Sequence, residues 1–195
     1  SLDCAHASVV GGCINKAKNC HTFIGGGHNN VTTGVTSLIG GGHGNQSRGE
    51  NSSVVGGISS CAIGKASAIV GGSCNCVVGL SAFVGAGQIN KVTGDGGVIG
   101  GGITNTVGAS AAFIGSGHGN CATGRDSFVG SGKNQTSSGH CSTAVGGCGN
   151  TANGEVSFVG GGKGHCAEAP CSTIGGGAVN TINSSGQIGT IAGGI

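Results

Sequence analysis

The chain has 195 residues, a net charge of +2 and 36% apolar residues, with 48 Gly against five Phe and no Trp, Tyr or Met. So few bulky side chains exclude a conventional globular core, while the apolar content and low charge argue against disorder. Collagen and bundled polyproline helices are excluded too, because Gly does not recur at every third position.

Internal repetition is the dominant signal. A Val or Ile followed by Gly recurs at Gly11, Gly25, Gly40, Gly56, Gly71, Gly85, Gly100, Gly115, Gly130, Gly146, Gly160, Gly175 and Gly189, at spacings of 14 to 16 residues. No linker interrupts the series, so residues 1–195 read as one domain of about thirteen similar units. Taken in chain order, a unit opens on a small residue such as Thr22 or Ser37. A short strand follows, with a β-branched residue directly before the anchor glycine, as in Val10, Ile24, Ile39, Val55, Val70 and Val145, and on to Ile188. One residue earlier stand Phe23, Leu38, Phe83, Phe113, Phe128 and Phe158, a column that holds every Phe in the chain. Neighbouring strand residues point to opposite faces, so this strand is apolar on both sides.

Glycines then make a turn, and Asn follows four or five places after the anchor. The column holds Asn15, Asn30, Asn45, Asn75, Asn90, Asn105, Asn120, Asn134, Asn150 and Asn180, with Ser60 and His165 in its place in two units. A second short strand comes next, with Val92, Val107, Ala122 and Ala152 pointing inward, and ends in another turn. The expected fold is all-β, a parallel β-solenoid (β-roll or β-helix) of about 13 coils of 14–16 residues, with two short strands per coil. At ~4.8 Å per ladder step the coils would make a rod on the order of 60 Å long. The Asn column reads as a ladder of side-chain amides bonded from coil to coil.

The unit "SLIGGGHGNQSRGENSSVVGG" resembles the head repeats of trimeric autotransporter adhesins, in which a small residue, apolar residues, Ile and Gly precede a second short stretch ending in Gly. That resemblance implies a left-handed parallel β-roll and three chains packed side by side through an apolar face, for which the Phe column is the matching surface. The heads of that family are poor in Cys, lack the runs of three glycines and are joined to a stalk and a membrane anchor. "NKVTG" and "NNVTTG" are more loosely similar to the ryegrass-type antifreeze β-roll.

Eleven Cys in a small Gly-rich chain suggest an oxidising compartment. Cys61 and Cys76 occupy the same place in successive coils and form the candidate disulfide. Sequons start at Asn30, Asn45, Asn51, Asn134 and Asn183. Those in the Asn column would face inward, which leaves Asn51 and Asn183, in turns, as glycosylation candidates. With no signal peptide at its start, the chain reads as a mature or trimmed form.

His28, His43 and His118 share a column and read as polar turn residues rather than metal ligands. The pairs Cys20 with His21, His140 with Cys141 and His165 with Cys166 read as surface His beside structural Cys. Six acidic residues are scattered without pairing, the glycine runs lack the Lys of a phosphate loop, and eight basic residues form no stripe for nucleic acid. No apolar run is long enough to enter a membrane. Catalytic residues, metal and cofactor are therefore all expected to be none, and the chain reads as a secreted, non-enzymatic structural protein. It is expected to self-associate laterally or end to end into a fibre, coat or adhesin. The alternative is an ice-binding (antifreeze) protein presenting a flat solenoid face, and a glycan or an ice surface is the external ligand such a face would take.

Overall fold

The structure is a computed structural model that describes residues 6–185 and 188–195. Two compact units, Ser1–Gly96 and Gly97–Ile195, are distinguished, and both are built alike. Among the described residues all regular structure consists of two-residue parallel strands, and the architecture is a β-solenoid with two short strands per coil. The first unit contains six strands of each kind; the second has seven of the first kind and six of the second. That makes about twelve turns, followed by a closing strand at Thr190–Ile191, where thirteen were expected.

A coil is best numbered from its small buried residue, so that the coil 22–36 has Thr22 at position 1 and Thr36 at position 15. The strands occupy positions 2–3 and 10–11, as in Phe23–Ile24 and Val31–Thr32. Each pairs with its counterpart one coil on, Phe23 beside Leu38 and Val31 beside Gln46. Turns are paired as well as strands. His28 N–H donates to Gly42 O at 2.9 Å and Asn51 N–H donates to Val35 O at 2.9 Å, so the ladder continues around the corners. This satisfies backbone groups that a two-residue strand alone would leave exposed.

The inward-facing side chains stand at positions 1, 3, 9 and 11, joined in one coil by Ala169 at position 13. In one coil they are Thr22, Ile24, Asn30 and Thr32, and in another Ala112, Ile114, Asn120 and Ala122, all of them buried. One β-branched residue among small ones fills so thin an interior, which is why the chain needs no aromatic core. Val92, Val107, Ala122 and Ala152 are fully buried at position 11, as their spacing predicted.

The strand register differs from the expected one in four coils. Val54, Ile69 and Ala144 fill position 3, with the half-buried Val9 in the first coil, while Val10, Val55, Val70 and Val145 stand one residue further on and are exposed. A hydrophobic doublet before Gly can be placed in either of two ways, and a one-residue slip exchanges the faces. The hydrogen-bonded register resolves it, because the buried residues step by 15 within each unit, as from Ile39 to Val54 to Ile69. The apparent spacings of 14 and 16 are thus shifts of the glycine, not of the coil. Ile188 is likewise exposed, and Ile191 takes the strand position. Thr173 pairs with Thr190, so the last coil carries two extra residues.

Gly at position 6 has a distinct cause. From Gly12 to Gly177 its φ lies between 83° and 106°, and a Cβ on Gly42 would fall 2.2 Å from Gly57 O and 2.6 Å from Asn45 Nδ2. Position 6 therefore excludes any side chain, both by conformation and by space. Position 5 does not: a Cβ on Gly26, Gly41 or Gly161 would meet nothing within 4 Å, and Ala86, Ser116 and Ser131 occupy it elsewhere. The three consecutive glycines are consequently not one uniform wall.

Candidate assembly face

Position 2 points outward from the first strand, and position 4 lies on the same side two residues on. The Phe rings at position 2 lie over position 4: a Cβ on Gly25 would sit 3.4 Å from Phe23 Cε1, and one on Gly130 would sit 3.4 Å from Phe128 Cε1. The backbone closes position 4 in these coils more firmly, since a Cβ on Gly25 would fall 2.4 Å from Gly40 O and one on Gly130 2.4 Å from Val145 O, so a large residue at position 2 goes with Gly at position 4. The coils obey this. Phe23, Leu38, Phe83, Val98, Phe113, Phe128 and Phe158 are each followed by Gly two residues later. Ser8, Ser53, Ala68 and Thr143 are followed by Val10, Val55, Val70 and Val145.

The exchange leaves one bulky apolar side chain per coil. In the first unit the series is Val10, Phe23, Leu38, Val55, Val70 and Phe83. In the second it is Val98, Phe113, Phe128, Val145 and Phe158, after which Thr173 ends it. Most of these are exposed, Phe113 and Phe128 at 37% and 39% and Val55 at 53%. Phe113 and Phe128 stack with ring centroids 5.3 Å apart and planes 4° from parallel. No Lys, Arg, Asp or Glu among the described residues lies at positions 1 to 6 of any coil; all of them lie at positions 7 to 15. The doublets hide the four Val of this face in the sequence, because either residue before the glycine suits the buried position.

The Asn column is structural. Asn30 Nδ2 donates to Gly26 O in its own coil at 3.0 Å and to Gly42 O in the next at 2.9 Å, while its Oδ1 accepts from Asn45 N–H at 2.9 Å. Asn45, Asn105 and Asn120 bridge in the same pattern to the backbone. Asn90 donates to Ala86 O, and Asn180 donates to Gly176 O and Gly194 O. The amides bond from coil to coil, as the column in the sequence suggested, with backbone groups as their partners. Asn134 lies outside the column: it is Gln135 N–H that donates to Asn120 Oδ1 at 2.9 Å, and Asn134 is an exposed turn residue with φ 54°.

Cys61 and Cys76 are in direct register, as their spacing predicted, yet both are free thiols. Parallel in-register side chains keep the ladder separation of about 4.8 Å, wider than the ~3.8 Å that Cβ atoms take in a disulfide. Burial pushes the Cys61 thiol up, opposed by the nearby Arg48 charge and aided by Cys76. Burial also raises the thiols of Cys121 and Cys166, the latter helped by Glu168. In the second unit the outward position 10 of the second sheet holds Thr106, Cys121, Thr136, Thr151, Cys166 and Thr181, a row of small polar side chains that the sequence reading missed. Asn51 and Asn183 are both exposed, and so is Asn134, whereas Asn30 and Asn45 are buried. His28 and His43 stack with ring centroids 5.0 Å apart and parallel planes. Among the described residues there is no enclosed cavity. No protein-family model and no curated protein matches the chain.

Proposed function

We propose that this chain is a non-enzymatic structural repeat protein of the extracellular space, which associates side by side with copies of itself through the uncharged face at positions 2 and 4. The observation that carries this reading is the exchange between those positions. A solvated surface has no reason to supply one bulky apolar group per coil, now from one site and now from the other, and to leave out every charge. Contiguous apolar exposure of this kind marks an interaction surface. A second copy is the occupant that fits best: it repeats with the same ladder step, so a Phe on one chain meets the same spacing of small and large residues along its whole length. A fibre, a coat or an adhesin shaft is the product of such pairing. The eleven Cys and the sequons on exposed turns at Asn51 and Asn183 support a secreted setting.

The test replaces Phe113, Phe128 and Phe158 by Thr, a residue that position 2 already accepts at Thr143 and Thr173. Sedimentation velocity of the wild type is expected to show concentration-dependent association, with filaments or sheets in electron microscopy. The triple variant is expected to lose at least about 1.4 kcal/mol of association free energy, a tenfold rise in the dissociation constant, with its β circular dichroism unchanged. A wild-type chain that stays monomeric, or a variant that associates equally well, would refute the reading.

The row from Thr106 to Thr181 favours a second reading, an ice-binding protein, because each Thr presents a methyl and a hydroxyl at a regular step along a sheet. Thermal hysteresis decides between them. A freezing gap abolished by Thr136→Lys and Thr151→Lys but kept in the Phe triple variant would establish ice binding instead of lateral assembly.

A further inference from the structure

A separate group of side chains lies on the corner at positions 14 and 15 of the second unit. Asp126 and Cys141 hold position 15 in successive coils, with φ of 56° and 54°, and His140 holds the position before Cys141. The corner ladder fixes their backbones. Cys141 N–H donates to Arg125 O at 3.0 Å, and Val156 N–H donates to His140 O at 2.8 Å. His140 Nε2 stands 3.5 Å from Asp126 Oδ2 and 3.6 Å from Cys141 Sγ, and the ligand atoms of the three residues lie within 4.8 Å of one another.

We infer that Asp126 Oδ2, His140 Nε2 and Cys141 Sγ form a three-ligand site for a borderline-soft divalent cation, with zinc as the best match. Tetrahedral bonds of about 2.0 Å to O and N and 2.3 Å to S place neighbouring ligand atoms roughly 3.3 to 3.6 Å apart, close to the two separations measured from His140 Nε2. Cys141 Sγ is also 3.8 Å from His140 Nδ1, so the exposed imidazole turns about its side-chain bonds to aim Nε2 at the shared ion. The mixed S, N and O donors disfavour Mg²⁺ and Ca²⁺, which take oxygen. The other face of the imidazole provides independent support. His140 Nδ1 is 3.6 Å from Glu155 Oε1, so a carboxylate faces the nitrogen that would not bind metal. A carboxylate in that place holds a ligating His in the required tautomer and raises its basicity. Asp126 Oδ2 is also 3.4 Å from Arg125 Nε, so the cation competes with the guanidinium for that oxygen. All three ligands are exposed, which gives the cation direct access and leaves the fourth coordination place to water. On binding, the Cys141 thiol releases its proton to solvent as the sulfur–metal bond forms.

The inference does not depend on the assembly face, which lies at other positions of the coil. Its test titrates the full chain, reduced with a non-chelating phosphine, with Co²⁺. One equivalent is expected to give a thiolate-to-cobalt charge-transfer band and intense tetrahedral d–d bands, both removed by excess Zn²⁺. Cys141→Ser and His140→Gln are expected to abolish the bands. Both changes are on the surface, and Ser81 shows that position 15 accepts Ser. Glu155→Gln is expected to weaken binding about 10- to 100-fold, and Cys61→Ser to leave it unchanged. An absent band in the wild type, or one that survives Cys141→Ser, overturns the site.

Discussion

At the scale of single residues, the Asn position shows how one side chain can hold a coil. An amide with one acceptor and two donors fits a carbonyl in its own coil, a carbonyl in the next and the next backbone N–H. His165 performs the same task with a ring. Its Nε2 lies 3.0 Å from Gly177 O and its Nδ1 accepts from Asn180 N–H at 3.1 Å. A carbonyl only accepts, so Nε2 carries the hydrogen and the ring is the neutral Nε2–H tautomer. Gln135 is one methylene too long for the role. Its Nε2 reaches only Lys133 O at 3.4 Å, and Oε1 is buried without a partner. Gln135→Asn is therefore expected to restore the missing bonds and raise stability by about 1–2 kcal/mol, read as a higher urea midpoint at unchanged slope. A midpoint at or below wild type would count against this account of the column. Counting residue types found the ladder in sequence, but placed Asn134 in it instead of Gln135. Chemistry favours Asn, while the register, invisible without the paired coils, assigns the position to Gln.

At the scale of the coil, the turn after the first strand separates glycines that look identical in sequence. Gly42→Ala places a methyl against the Gly57 carbonyl at φ 91° and is expected to cost about 3 kcal/mol or more. Its neighbour is the control: Gly41→Ala meets open space and should be neutral or stabilising by up to about 1 kcal/mol, through reduced freedom of the unfolded chain. Thermal unfolding of the two variants side by side tests the distinction, and equal losses would contradict it. The corners at positions 8 and 15 carry strain of another kind, because nineteen non-Gly residues among those described have positive φ, including the β-branched Ile14, Ile89, Val156 and Val179. Ladder bonds on both sides of each corner hold these residues in a conformation they would otherwise avoid. Coil length, strand number and inward-facing position 11 were all legible in the sequence, since Val92 and Ala122 alternate plainly with polar neighbours. The first strand was less so. In Val54–Val55 two equivalent side chains precede Gly, and nothing local says which of them is buried.

At the scale of the whole molecule, stability accrues coil by coil, as in other repeat proteins where each repeat touches its neighbours. Removing residues 52–66, one complete coil of the first unit, keeps every remaining residue on its own face. That deletion is expected to retain a cooperative β transition and to lose about 1–2 kcal/mol. Removing 52–65 instead shifts all later residues by one and turns Ile69 outward in its coil, so a strongly destabilised or unfolded chain is expected. Circular dichroism and urea titration separate the two outcomes, and similar stability of both would show that the 15-residue step is not binding. The function of the chain was less legible than its fold because its surface chemistry is divided among columns. A linear reading sees Cys141 beside His140, but not Asp126 and Glu155, which the coils bring alongside from 14 and 15 residues away.

The confinement of charge to positions 7 to 15 has a consequence for how such a protein can change. Nearly every coil adds one apolar group to the cohesive wall, whereas charge is shared unevenly and is absent from coils such as 22–36, 67–81 and 97–111. Gaining or losing a coil therefore rescales adhesion, and changes the charge only where that coil carries one. Length becomes a freely adjustable quantity: duplicating 45 bases of coding sequence, the 15 codons of one coil, yields a chain with more of the same surface and no new junction to solve.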